Sequence, residues 1–235
     1  MALPVMNTAK YEMELPSTGD KIEYRPFLVK EEKVLLQAME GGDEKEIMRG
    51  LKQVISQCVL TKDYKIDRSP VFDLEYIFLK LRSKAVGEKT TLAMKHLGDC
   101  GGVTNVEFDL SAVEVVKSEN HKDLIKLSDE VTVRMKYPSV DIMGSFKSDI
   151  DGVFDMMRSS IHEIYFKEEL FSVEDHSKQE IDDFLNSLNS DQFAKLRDFF
   201  ETMPKVKHDI KWVCEKCGEE VVQTVEGVSS FFGSA

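Results

Sequence analysis

Apolar and polar residues alternate over residues 10–15 (Lys-Tyr-Glu-Met-Glu-Leu) and again over 21–25 (Lys-Ile-Glu-Tyr-Arg). A period of two marks a half-buried strand. Pro16-Ser17-Thr18-Gly19-Asp20 between the runs supplies turn residues, so a β-hairpin is predicted. The period then becomes helical. Val34, Leu35, Ala38 and Met39 share one face, and Gly41-Gly42 ends the run. Asp43 is placed to cap a second helix carrying Ile47, Leu51, Val54, Ile55 and Cys58, the two forming an antiparallel pair. Ser69-Pro70 predicts a third helix, with serine as the cap and proline in the first turn. Phe72, Leu74, Ile77, Phe78 and Leu81 lie on more than one side of it, as in a helix buried against several partners, and Gly87 is a C-terminal stop.

The pattern shortens in the middle of the chain. Thr90–Met94 and Val103–Phe108 read as strands around a turn at His96–Cys100. Val113–Val116, Leu124–Leu127 and Val131–Lys136 follow with polar turns between them, and the whole is expected to be an antiparallel β-meander. Helical spacing returns after Pro138, with one helix over 146–165. Phe171-Ser172-Val173 reads as a short strand. Ser177 with Glu180 forms a capping box for a helix bearing Ile181, Phe184, Leu185 and Leu188. Ser190 opens another with Phe193, Leu196, Phe199, Phe200 and Met203, and Pro204 lies just beyond it. Two strands flanking Cys214–Cys217 precede the tail Val228-Ser229-Ser230-Phe231-Phe232. Phe231 and Phe232 either dock back onto the protein or enter a partner.

These elements predict an α+β fold in four parts. Residues 1–87 form a β-hairpin plus helices, 88–137 an antiparallel β region, 138–204 a helical region, and 205–235 a hairpin with an apolar tail that packs with 88–137.

Two turns carry candidate chemistry. Trp212-Val213-Cys214-Glu215-Lys216-Cys217-Gly218 is a Cys-x-x-Cys-Gly knuckle, and Lys95-His96-Leu97-Gly98-Asp99-Cys100-Gly101 offers a second pair of soft ligands, also followed by glycine. His96, Cys100, Cys214 and Cys217 make a Cys3His set, which suits tetrahedral structural zinc and leaves no position for water or substrate. The His96–Cys100 pair fits a usual knuckle less well, since its ligands are one residue further apart, and His208 stands in reserve. The competing reading, a redox pair, is disfavoured because such a motif opens a helix, whereas β-forming residues flank this one. The fourth cysteine, Cys58, falls in an apolar helical stretch and reads as a small buried hydrophobe.

Composition narrows the function classes. The chain has 235 residues, 42% of them hydrophobic, and a formal net charge of −12. The charge repels bare nucleic acid, and no basic stripe with interleaved aromatics offsets it. No apolar run reaches the ~20 residues of a membrane span. Met1-Ala2-Leu3-Pro4-Val5 lacks the charged and apolar regions of a secretion signal, which predicts a cytoplasmic protein. Phosphate-binding glycine loops, nucleophile elbows and zinc-protease helices are all missing from the sequence, so no catalytic residue and no enzyme activity is expected.

Several stretches together resemble one family. Leu15-Pro16-Ser17-Thr18-Gly19, Tyr24-Arg25-Pro26-Phe27-Leu28-Val29-Lys30-Glu31-Glu32-Lys33, Phe72-Asp73-Leu74-Glu75-Tyr76-Ile77-Phe78-Leu79-Lys80-Leu81-Arg82, Val86-Gly87-Glu88 and the Trp212 to Phe232 ending are similar to a baseplate protein family of T-even-type contractile-tailed phages. The resemblance implies a non-enzymatic subunit of the baseplate hub, or a chaperone for hub assembly. Its partners would be other hub proteins, and it would act in the host cytoplasm during assembly, with a place in the virion tail baseplate only if it is a subunit. In that family the first knuckle often has two cysteines, and His96 departs from the pattern. The alternative is a zinc-ribbon regulatory module contacting transcription or nucleic-acid machinery. Lys205, Lys207, Lys211 and Lys216 favour it, and Glu215, Glu219 and Glu220 oppose it.

Overall fold

The computed structural model describes residues 7–41, 43–143 and 149–227. Gly42, Phe146 and the tail from Val228 fall outside the described residues. In chain order the elements are β1 (Tyr11–Glu14), β2 (Lys21–Tyr24), α1 (Val29–Glu40), α2 (Glu44–Cys58), α3 (Val71–Ala85), β3 (Lys89–Lys95), β4 (Val103–Asp109) and β5 (Glu114–Val116). There follow β6 (Leu124–Lys126), β7 (Val131–Met135), α4 (Val140–Met143), α5 (Ile150–Ser160), β8 (Ile161–Phe166), β9 (Glu169–Ser172), α6 (Lys178–Asn186) and α7 (Ser190–Thr202). The last two are β10 (Lys205–Val213) and β11 (Glu220–Glu226). The architecture is α+β. The chain forms two compact units, the first of residues 1–116 with 205–235 and the second of residues 117–204.

In unit one the β1–β2 hairpin closes where Gly19 adopts a φ of 76°, a left-handed conformation that glycine reaches without a Cβ clash. The turn is held from below. Ser17 donates through its backbone N–H (3.0 Å) and its hydroxyl to the carboxylate of Asp73, which is buried in the first turn of α3. Burial pushes the Asp73 carboxyl up, and the Ser17 hydrogen bonds only partly offset this. A second buried polar knot joins β2 to α1 and α2. Arg25 donates to Glu31 at 2.9 Å, to the Gln57 carbonyl at 3.1 Å and to the Pro26 carbonyl at 3.0 Å. Glu31 also accepts from the Leu28 amide at 2.8 Å. Both knots are built from the family-like stretches. Around them Leu51, Val54, Ile55 and Cys58 of α2 and Leu74, Ile77 and Phe78 of α3 are fully or almost fully buried. Burial raises the Cys58 thiol to about 11, as expected of an inert core thiol.

Two helix starts behave differently. Asp43 caps α2 as expected, its side chain accepting from the Lys45 amide. Ser69 does not cap α3. Pro70 occupies the cap position, and the Ser69 hydroxyl pairs instead with the Tyr64 hydroxyl at 2.8 Å.

All strand pairs are antiparallel, and the described strands form four sheets: β1–β2, β3–β4, β11–β10–β5 and β6–β7–β8–β9. The single meander expected over residues 90–136 is therefore divided among three sheets. β5 leaves its sequence neighbours to pair with β10, with Val116 opposite Lys205.

Unit two packs the β6–β7–β8–β9 sheet with its helices. Leu127, Val133, Met135, Met157, Ile161, Ile181, Leu185, Leu196 and Phe199 form its core. The single helix expected over 146–165 is not formed. α5 ends at Ser160 and the chain turns directly into β8, while residues 144–148 lie outside the described residues. Met157, Ile161 and Ile164 sit at helical spacing in sequence, yet the last two belong to a strand. The Ser177–Glu180 capping box is present, and Asn189 caps α7 with Gln192 in the same way.

Candidate metal centre

The two knuckles are the tips of two hairpins of unit one. β3 and β4 are in register from Lys89↔Asp109 to Lys95↔Val103. The His96 amide adds one more rung by donating to the Gly102 carbonyl at 2.7 Å. β10 and β11 end at Val213↔Glu220, and the Cys214 amide donates to the Glu219 carbonyl at 2.9 Å. Each loop thus begins with a ligand residue held by the last ladder hydrogen bond. Gly101 (φ 55°) and Gly218 (φ 77°) turn the chain directly after Cys100 and Cys217. The extra residue between His96 and Cys100 is absorbed in a tight turn, in which the Gly101 amide donates to the Gly98 carbonyl at 3.1 Å.

The structure brings His96, Cys100, Cys214 and Cys217 together, with one ligand atom of each lying within 4.8 Å of all the others. His96 Nδ1 is 3.0 Å from Cys100 Sγ and 3.4 Å from Cys217 Sγ, and Cys100 Sγ is 3.6 Å from Cys214 Sγ. Bond lengths of about 2.3 Å to sulfur and 2.0 Å to nitrogen in a tetrahedron place S···S pairs about 3.8 Å and S···N pairs about 3.5 Å apart. The cluster is close to that size. All four cysteines of the protein are free thiols.

The surroundings favour an anionic sulfur at Cys214. Gly102 N–H donates to Cys100 Sγ at 3.3 Å. Burial pushes the Cys214 thiol up, but the backbone N–H groups of Cys217 and Lys216 and the Cys100 and Cys217 side chains outweigh it and bring it to about 6. Cys217 shifts the other way: the Glu219 N–H favours its thiolate, but burial and the neighbouring Cys100 and Cys214 sulfurs prevail and raise it. Sulfurs this close cannot all carry charge without a cation between them. Cys214 is fully buried and His96 is nearly so, while Cys217 is at the surface.

His96 presents Nδ1 to the sulfurs, and its Nε2 is 3.6 Å from a Glu219 carboxylate oxygen. Trp212 supports the imidazole edge-on, with centroids 6.1 Å apart. The reserve histidine, His208, is outside the cluster and packs its ring against Phe108 at 5.2 Å.

Further contacts tie the two hairpins together that the sequence alone did not suggest. Lys216 Nζ donates to the Cys100 carbonyl at 2.7 Å, and the Glu215 amide donates to Thr104 Oγ1 at 3.0 Å. Gly102 permits the approach, since a Cβ there would lie 2.8 Å from Lys216 Cβ and 2.9 Å from Cys214 Sγ. Gly98 makes room for the imidazole, which a Cβ would meet at 2.9 Å. The consecutive glycines 101–102 were the one available sequence signal.

Among the described residues, this is the one group of three or more metal-binding side chains found together. No described helix is long and apolar enough to cross a membrane. No curated protein and no solved structure matches the chain. A sequence model of one family, described as T4 bacteriophage base plate protein, matches residues 6–233, which takes in both knuckles and both units. The chain therefore belongs to the T4 bacteriophage base plate protein family.

Proposed function

We propose that this protein works without catalysis in the tail baseplate hub of a contractile-tailed phage, as a hub subunit or as a chaperone in hub assembly. The observation that carries this reading is the family match over nearly the whole chain. Its partners are other baseplate hub proteins. It acts in the host cytoplasm during assembly, and as a hub subunit it would persist in the tail.

In this reading His96, Cys100, Cys214 and Cys217 hold one structural zinc. When bound, zinc would supply a closed tetrahedral crosslink between the two hairpins. The ligand spacing, the amides directed at sulfur and the Glu219 carboxylate behind His96 support that assignment. The regulatory zinc-ribbon alternative gains nothing here, because Lys216 is engaged with the Cys100 carbonyl and Glu219 stands beside His96.

Mass spectrometry of purified virions beside infected-cell lysate separates the two hub roles. Presence in virions identifies a subunit, and presence in lysate alone identifies a chaperone. Failure to form a complex on co-expression with any hub protein would overturn both. Metal analysis of wild type and Cys214→Ser tests the site: zinc near one equivalent is expected in wild type and little in the variant, and equal contents would sink the assignment.

A further inference from the structure

Unit two keeps an apolar groove open beside its own core. The groove has a volume of about 390 Å³, and its walls include Val131, Ile164, Phe166, Phe171, Val173 and Phe184. That volume falls in the range of about 300–1,000 Å³ typical of sites that take a ligand or a few side chains. Phe166, on its wall, is 39% exposed. β9 ends the sheet order, so beyond it no further strand pairs among the described residues. An open strand edge beside an apolar groove is the arrangement used for strand addition. Main-chain hydrogen bonds then give affinity, and alternate side chains fill the groove.

The charges around the groove indicate what fits. The segments that wall it carry the exposed acids Glu168, Glu169, Glu174, Asp175, Glu180 and Asp183. Of the two lysines in the same stretch, Lys167 lies 3.4 Å from Glu130 with its ammonium 5.1 Å over the Phe166 ring, and Lys178 is 3.6 Å from Asp155, so acids still outnumber bases at the rim. His176 lies 3.7 Å from Glu180. An apolar floor under an acidic rim is complementary to a segment that alternates apolar residues with lysine or arginine. The chain's own residues 227–235 contain two phenylalanines but no lysine or arginine. A second copy would bring a net charge of −12 to an acidic rim. Both are therefore poor occupants.

We propose that this groove, with the β9 edge, docks a basic-apolar segment of a different baseplate protein. The identity of that partner class rests on the hub reading above.

The test uses the full chain with a photo-crosslinking phenylalanine analogue at position 166, co-expressed with each of the phage's other baseplate proteins. Wild type is compared with the rim variant Glu174→Lys/Asp175→Lys, whose substitutions are at exposed positions and are confirmed by calorimetry to leave the melting temperature near that of wild type before it is used. The expected result is a crosslink to an apolar segment flanked by lysine or arginine. The rim variant should lower the yield about tenfold, and so should raising the salt from 0.05 to 0.5 M, because rim charges are screened over such distances. A complex that forms without this crosslink, or is indifferent to the rim variant, overturns the groove while leaving the hub reading intact. A crosslink to residues 228–235, to a second copy or to an acidic segment also overturns it. Absence of any complex overturns both.

Discussion

Unit one and unit two close their cores by different means. Unit two is continuous in sequence, residues 117–204, and its nine-residue core cluster joins strands to helices that follow one another closely. Unit one is assembled from both sides of that segment. Its β10 must return to pair with β5, and Cys214 must meet Cys100 across 114 residues. Closing a loop of that length costs roughly 4 kcal/mol in chain entropy, from the (3/2)RT ln n dependence. Val206, Ile210, Trp212 and Val225 of the returning strands are buried and contribute to that closure against its cost. The zinc we propose has an apparent binding free energy on the order of 10 kcal/mol in small peptides, which would offset it. Unit two joins neighbouring segments through its hydrophobic core, and unit one, whose core is also well buried, would add the proposed clasp between distant segments.

This comparison can be broken, most strongly at the clasp. Chelation, or Cys214→Ser, should destabilise unit one by several kcal/mol, up to about 10. Calorimetry should show a unit-one transition that falls while a unit-two transition stays fixed. If both move together, the units are not independent in the way argued. Arg25→Ala should cost unit one up to about 3–5 kcal/mol, because it leaves the buried Glu31 carboxylate with only the exposed Lys30 at 3.3 Å as a cation. Urea unfolding monitored at Trp212, the one tryptophan and a unit-one residue, reports it.

The same pair sets an acid limit. Burial alone would raise Glu31, but Arg25, the Leu28 amide and Lys30 outweigh it and hold the carboxyl below its ordinary value of 4.5. The unfolded chain then binds more protons than the folded one in that range. The stabilisation is complete above about pH 4.5 and is lost as pH falls through the lower folded value. Glu31→Gln should flatten this part of the pH–stability curve. In unit two, Leu196→Ala should cost about 2–5 kcal/mol from a fully buried site. It should leave the unit-one transition in place. Ser177→Ala is the smallest change, about 1 kcal/mol from a lost helix cap, read as a slight fall in the unit-two melting temperature.

Much of the fold was legible because local signals were unambiguous: Gly19 in the hairpin turn, Asp43 and Ser177 at helix starts, and the apolar faces of α2 and α3. The errors arose where local spacing was ambiguous or pairing was not local. Met157, Ile161 and Ile164 satisfy a helical period, but Ile161 to Phe166 is rich in β-branched and aromatic residues, and the sheet claims it. Val113–Val116 was readable as a strand, yet nothing in it names Lys205–Lys207 as its partner. Ser69 looked like a cap, but its hydroxyl goes to Tyr64. At the candidate site the residue types and the trailing glycines were visible. The choice of Nδ1 facing the sulfurs, the Glu219 carboxylate behind the ring, and the Lys216 and Thr104 braces depend on how two hairpins approach in space, and sequence spacing does not encode that.

The placement of one knuckle near each side of unit two also sets an order in time. A ribosome adding about 5–20 residues per second needs on the order of 10 s to go from Cys100 to Cys214. During that interval His96 and Cys100 are exposed as half a site while unit two can already fold behind them. The two halves of the proposed clasp can therefore meet only after residues 117–204 have been made.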